Sequence, residues 1–204
     1  MYKNLFKRAI DIIGALCILP FVLLEIIVFA PIIWLTDRGP VFYNANRAGM
    51  GYKPFKMFKL RSMYVNSPDL KNPDGSTFNS ENDPRVTPIG RFMRKTSLDE
   101  FPQFINVLIG DMSFIGPRPK LYLPEKYPNG LPEHMKKSFT VKPGVSGYAQ
   151  AYFRNSITND EKYEKDGYYA DNLTFMMDVK VILKTIESVL LRKNINTAES
   201  YKNN

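Results

Sequence analysis

Asp99 and Glu100 stand side by side in the run Ser97-Leu98-Asp99-Glu100-Phe101-Pro102-Gln103. A carboxylate can serve as a nucleophile, and an adjacent acid can position it, move a proton or share a metal ion. Basic residues surround the pair in sequence: Arg91, Arg94 and Lys95 precede it and Arg118 follows. This setting suits an anionic, phosphate-bearing substrate, and an apolar N-terminal segment places the expected chemistry at a lipid surface. The same spacing has a structural reading. Ser97-x-x-Glu100 is a capping-box pattern, acidic residues suit a first helical turn, and Pro102 is tolerated only there, so a helix is predicted to begin near Leu98 or Asp99. Capping and catalysis are compatible, because a helix N-terminus favours the carboxylate form that a nucleophile or metal ligand requires.

Three further stretches carry candidate ligands. In Gly116-Pro117-Arg118-Pro119 the prolines restrict the backbone around an arginine suited to bidentate phosphate recognition; a rigid turn with a surface arginine is the alternative. Phe55 to Arg61 alternates apolar and basic residues except at Met57-Phe58, and as a strand it would present Lys59 and Arg61 on one face. Lys142-Pro143-Gly144-Val145-Ser146-Gly147-Tyr148-Ala149-Gln150 leads to Arg154-Asn155, with glycines that permit tight turns and close approach to a ligand. His134, the one histidine, is expected at the surface, which makes a Ser-His-Asp triad or a multi-histidine metal site improbable.

The elements that must position these residues follow from pattern. At 204 residues the chain has room for one domain with a core and an attached segment. A net charge of +8 favours anionic partners, and one cysteine excludes an internal disulfide. Cys17 is expected to pack as a small hydrophobe. A turn at Gly39-Pro40 opens a β-prone run, Asn66 to Pro88 reads as a long loop that is either a lid or a plain linker, and Ile89 to Lys95 reads as a short basic amphipathic helix. Phe101, Phe104, Ile105 and Leu108 mark the buried face of a helix ending near Gly110. Phe175, Val179, Ile182, Leu183, Ile186, Val189 and Leu190 mark another stripe, facing either the core or a lipid interface.

From Ile12 to Leu35 nearly every residue is apolar, with Pro20, Glu25 and Pro31 as interruptions. Length would allow a membrane span, yet a carboxylate at mid-depth is costly and a proline kinks a helix. Lys3, Lys7 and Arg8 precede the segment, while Arg38, Arg47 and Lys53 follow it, so both ends fall on one side by the positive-inside rule. The expectation is a re-entrant helix-break-helix that bends near Pro20 and returns with Trp34 at headgroup level; a bitopic helix and a buried core helix are the alternatives. Asp11 is expected to pair with Lys7 or Arg8 at helical spacing. The predicted fold class is α+β, mainly α. Residues 1–38 form the membrane hairpin, 39–191 a compact cytoplasmic domain with interfacial helices and a small β element, and 192–204 a polar tail.

Taken in order, Phe58-Lys59-Leu60-Arg61-Ser62-Met63, the Asp99-Glu100 run, Asp111 through Pro119 and Lys142 through Gly147, with the N-terminal Lys7-Arg8-x-x-Asp11, closely resemble the monotopic phosphoglycosyl transferases, or bacterial sugar transferases. The resemblance implies transfer of a phosphosugar from a UDP-sugar to undecaprenyl phosphate, with release of UMP, initiating glycoconjugate assembly at the cytoplasmic face of a bacterial inner membrane. It implies Asp99 as nucleophile of a ping-pong reaction through a covalent phosphosugar intermediate and as a Mg²⁺ ligand, with Glu100 as its helper. Arg118 would bind phosphate, Arg154 would contact the nucleotide or its phosphates, Gln150 would bind substrate, and Lys59 and Arg61 would form a phosphate-binding edge. Pro20 lies earlier than the Ser-Pro break of some relatives, Glu25 is unusual at its depth, and Tyr152-Phe153 replaces an Asn-Gly pair. The competing class is a basic peripheral protein that binds anionic lipid or nucleic acid without catalysis, although no nucleic-acid motif is recognisable.

Overall fold

The computed structural model describes residues 2–70, 78, 80, 82–154 and 156–190. After a short π-helical turn, one helix, α1 (Lys7–Asp37), runs for 31 residues and ends where Arg38 takes a left-handed conformation. Pro20 and Pro31 both lie inside it. The expected interruption at Pro20 is therefore corrected: α1 is a single helix. A proline removes one backbone hydrogen bond and bends a helix without having to end it.

The buried residues of α1 are Lys7, Asp11, Ala15, Val22, Glu25 and Ile33, spaced so that they fall on one stripe from end to end. That stripe lies along the rest of the protein. Ala15 packs with Met57, Val107 and Met112, and Ile33 with Leu60 and Met93. Leu16, Phe21, Leu24, Ile27 and Leu35 on the other faces are exposed. Cys17 is exposed with them, correcting the expectation that it packs inside.

Beyond α1, strand β1 (Ala45–Ala48) pairs antiparallel with β2 (Pro54–Met57). The basic amphipathic helix appears as α2 (Pro88–Thr96), capped by Thr87, whose Oγ1 accepts from the Gly90 N–H at 2.9 Å. Helix α3 (Gln103–Ile109) ends at Gly110 (φ 102°), as its sequence indicates. Strand β3 (Ser113–Ile115) follows, and β4 (Lys120–Leu121) joins the other edge of β1. A single turn, α4 (Glu133–Lys136), leads to β5 (Gly144–Ser146), which lies parallel to β3. Helices α5 (Tyr148–Tyr152), α6 (Asn159–Asp171) and α7 (Phe175–Leu190) complete the described part of the chain. The fold is α+β and mainly helical, with two small sheets among the described residues, in the orders β2-β1-β4 and β3-β5.

Polar contacts fasten α1 at both ends. Asp11 accepts from Ser113 Oγ and the Phe114 N–H at 3.0 Å each, rather than pairing with Lys7 or Arg8. Lys7 instead meets Asp178 of α7 at 2.6 Å, and Arg8 donates to the carbonyls of Val107 and Leu108 at the end of α3. At the far end Asp37 takes both terminal nitrogens of Arg61 at 2.6 Å.

Of the two predicted helical stripes, that of α3 is half-buried, with Phe104 and Leu108 packed against the core, and that of α7 faces largely away from the core. On α3 the buried residues are Gln103, Asn106 and Val107. Asn106 Oδ1 accepts from the Phe58 N–H and its Nδ2 donates to the Lys56 carbonyl, both at 2.8 Å, so a hydrogen-bonded amide is buried beside the apolar stripe. On α7 the inward residues are Asp178, Val181 and Ser188, whereas Phe175, Met176, Ile182, Leu183 and Ile186 are exposed. Residues 71–77, 79 and 81 of the expected loop, and the tail from 192, lie outside the described residues. Within the described part of that loop Asp83 and Arg85 form a buried bidentate pair, with Nη2 to Oδ2 at 2.7 Å.

Candidate active site

Ser97 adopts a left-handed conformation (φ 59°) at the end of α2, and a 3-10 turn, Leu98–Glu100, follows before α3. The predicted capping box is thus corrected. Ser97 makes no side-chain cap, and Glu100 reaches away from it. The turn is set by backbone pairing: the Leu60 N–H donates to the Asp99 carbonyl at 3.0 Å. Since Asn106 also fixes Lys56 and Phe58, α3 positions both the acidic turn and the strand extension that carries Lys59.

Lys59 Nζ stands 2.8 Å from Asp99 Oδ2 and 3.2 Å from Glu100 Oε1. Arg118 Nη2 reaches the same Oε1 at 2.8 Å. Four charged groups from three parts of the chain therefore meet, with Glu100 joining the two cations. The Asp99 side chain is nearly closed off, at 3% exposure, and its Oδ2 has the Lys59 charge beside it without a directed hydrogen bond. Burial alone would raise the Glu100 carboxyl, but Arg118 and Lys59 hold it well below the usual carboxylate range. Glu100 in turn pushes the Arg118 guanidinium up.

The glycines of the two downstream motifs serve backbone contact with each other. The Gly116 N–H donates to the Ser146 carbonyl and the Gly144 N–H to the Pro117 carbonyl, both at 2.9 Å. A Cβ on Gly144 would come within 2.1 Å of the Gly116 nitrogen, and one on Gly147 within 2.2 Å of the Gly116 oxygen. The expected close approach is thus between chain segments, and it locks the turn that presents Arg118.

Arg61 stands apart from the Lys59 cluster as a structural strut. It is buried, its fork is held by Asp37, and it donates to the carbonyls of Pro40, Met63 and Ile33. Beyond β2, which ends at Met57, Leu60 meets Phe42 in an isolated antiparallel bridge. Gln150 lies on α5 with its Oε1 buried and unpartnered, and Arg154 sits just past α5 with φ 48°. Neither lines the two clefts at Arg118. One of these, about 230 Å³, includes Lys120, Ser138 and Asp166; the other, about 220 Å³, includes Arg47, Gln103 and Pro119. Burial pushes the Asp166 carboxyl up to about 6, against the opposing charges of Lys120 and Lys162. His134 is at the surface, 3.6 Å from Asp160.

Sequence reasoning missed Arg47 as a site residue and saw it only as a flanking charge. The β1 register sets Arg47 opposite Leu121, close enough to Arg118 that burial and the Arg118 charge both lower its pKa. Glu25 is the one acidic residue in the apolar stretch from Ile12 to Leu35. It is 6% exposed, both carboxylate oxygens lack partners, and burial followed by the negative charge of Asp99 pushes its carboxyl up. No sequence spacing links residues 25 and 99.

The model of the bacterial sugar transferase family matches residues 2–192. The chain belongs to that family. It is 38% identical, over 90% of its length, to the UDP-N-acetylgalactosamine-undecaprenyl-phosphate N-acetylgalactosaminephosphotransferase of Aeromonas hydrophila, covering 43% of that protein. It is 40% identical, again over 90% of its length, to the UDP-glucose:undecaprenyl-phosphate glucose-1-phosphate transferase of Escherichia coli K12, covering 40% of it. The uncharacterized sugar transferase EpsL of Bacillus subtilis is 36% identical over 94% of this chain, which spans 90% of that relative. This sugar transferase thus spans about two fifths of the two relatives named for their substrates and most of the third. Family membership gives the cluster of Lys59, Asp99, Glu100 and Arg118 its chemical context.

Proposed function

We propose that this sugar transferase is a phosphoglycosyl transferase that moves a sugar 1-phosphate from a UDP-sugar to undecaprenyl phosphate. The observation that carries this reading is the buried Asp99 carboxylate between Lys59 and the Glu100–Arg118 pair. Phosphoryl transfer requires positioned groups and neutralisation of charge on the phosphate oxygens, and cations fixed by Glu100 answer that need.

In the proposed mechanism an oxygen of Asp99 attacks the β-phosphorus of the UDP-sugar. The bond from that phosphorus to the bridging oxygen breaks and UMP leaves. Undecaprenyl phosphate then attacks the same phosphorus through a phosphate oxygen, and Asp99 departs as a carboxylate. Glu100 acts by holding Lys59 and Arg118 at the phosphates, and Arg47 adds positive charge to the same cleft. Asp99 Oδ2, without a directed donor, fits an oxygen ligand for Mg²⁺, which when bound would neutralise diphosphate charge.

Helix α1 supports a membrane placement. A helix of 31 residues has a contour of about 46 Å, enough to cross a hydrocarbon core. However, its inward stripe is fastened at both ends to one charged domain, and its other faces are apolar. We assign it to a one-sided, monotopic insertion at the cytoplasmic face of the inner membrane, with the exposed apolar face of α7 at the same interface and Pro20 as the place of any bend.

Product analysis tests the reaction. Purified protein with a panel of UDP-sugars, N-acetylated and deoxy-amino sugars first, Mg²⁺ and undecaprenyl phosphate should release UMP. Release of UDP would indicate ordinary glycosyl transfer, and binding without any nucleotide product would favour the non-catalytic peripheral protein.

A further inference from the structure

We infer that the outward face of α2 is a further membrane contact, selective for anionic phospholipid headgroups. The inference rests on the one-sided placement of α1 proposed above. Gly90 and Met93 turn α2 inward: Met93 packs with Ile33 and Leu60, and a Cβ on Gly90 would come within 1.9 Å of the Ser62 oxygen. With about 100° of turn per residue, Arg91, Phe92 and Lys95 share the opposite face, and all three are exposed. The Phe92 ring lies 6.2 Å from that of Phe29 on α1, yet it is 51% exposed. Val28 and Ile32 flank Phe29 on α1 and are exposed as well, so the apolar surface of α1 continues onto α2 at Phe92.

An exposed phenylalanine between two cations fits the boundary between acyl chains and headgroups, where the ring enters the apolar layer and long basic side chains reach back to phosphates. The end of α1 carries the same pairing, with the Arg38 guanidinium 4.5 Å from the Trp34 ring. The helix dipole accounts for cations in the last turn of α2, at Arg94 and Lys95, but not for Arg91 or for the exposed ring. Arg94 donates to Ser62 Oγ at 2.9 Å, whereas neither Arg91 nor Lys95 forms an ion pair among the described residues. Anionic headgroups supply the net countercharge that these two cations lack, and zwitterionic headgroups do not. Helix α2 leads directly into the turn that carries Asp99, so this contact would hold the acidic turn at the bilayer surface.

The test uses the full chain in lipid vesicles. In a Trp34→Phe background, Phe92→Trp carries the only tryptophan, and bromine on the acyl chains quenches its fluorescence on contact. Brominated phosphatidylglycerol should quench roughly threefold more effectively than brominated phosphatidylcholine, and adding Arg91→Gln and Lys95→Gln should bring the ratio to about one. No quenching by either lipid overturns the inference, as does an equal response to both or a preference that survives loss of the two cations. Should the variants fail to fold, acetylation of Lys95 in the wild type, read by mass spectrometry against exposed Lys136, decides. Relative labelling roughly threefold slower in phosphatidylglycerol than in phosphatidylcholine vesicles supports the contact, and equal labelling overturns it. Quenching of wild-type Trp34 reports the lipid contact of α1 and UMP release reports the transferase reading, so both stand if only the α2 contact fails.

Discussion

At the scale of residues, the site separates groups that act from groups that hold them. Asp99 and Arg118 stand out in sequence because each lies in a short, conformationally restricted motif. Arg47 and Asn106 do not, because their significance depends on partners 48 or more residues away: Asn106 braces Phe58, while Arg47 carries the influence of the Arg118 charge. Asn106 is fully buried and serves two backbone groups of the Lys59 segment. Replacing it with Ala leaves the Phe58 N–H and Lys56 carbonyl unpaired. The expected loss is about 2–4 kcal/mol of stability, because stranding buried polar groups costs their desolvation as well as the bonds. Denaturant unfolding of Asn106→Ala in detergent measures it, and a loss below 0.5 kcal/mol would show that the brace contributes little.

Among the elements, α1 and α7 show why hydropathy alone does not pick out the inward face. On a helix next to lipid the apolar face points outward and the polar residues mark the protein side. Thus Asp11 and Glu25 on α1, and Asp178 and Ser188 on α7, face inward, while Leu24 and Leu183 do not. Within α1 nearly every other position is apolar, so no apolar period reveals the stripe. Fastening of its C-terminal end depends on Asp37, whose carboxyl the Arg61 hydrogen bonds lower from 3.8 to about 2. A lowered folded-state pKa stabilises the fold at pH values above the unfolded value, near 3.8, and that contribution disappears as pH falls toward 2. The stability gap between wild type and Asp37→Asn should therefore be constant from pH 7 to 5 and close between about pH 4 and 2. A gap that persists unchanged at pH 2.5 would remove ionic pairing as its cause.

For the whole molecule, the mainly helical α+β class and the basic charge were legible from composition and pattern. The path of α1 was not, because proline content predicts a weak point without saying whether a helix stops there. One helix fastened to a single domain at Lys7 and Asp37 cannot place those ends across a bilayer without unfastening one of them. In a Cys17→Ser background, Lys3→Cys and Lys53→Cys should both react with an impermeant thiol reagent only after the cytoplasmic side is opened. Labelling of the two positions from opposite sides would establish a span.

The central claim is that Asp99 is the nucleophile of a transfer that releases UMP. Its most direct test is nucleotide release by wild type and Asp99→Asn with a UDP-sugar that the wild type accepts, Mg²⁺ and undecaprenyl phosphate. The account predicts UMP from the wild type and a loss of turnover of at least 10³-fold in a variant of unchanged fold. Wild-type turnover by Asp99→Asn would contradict it.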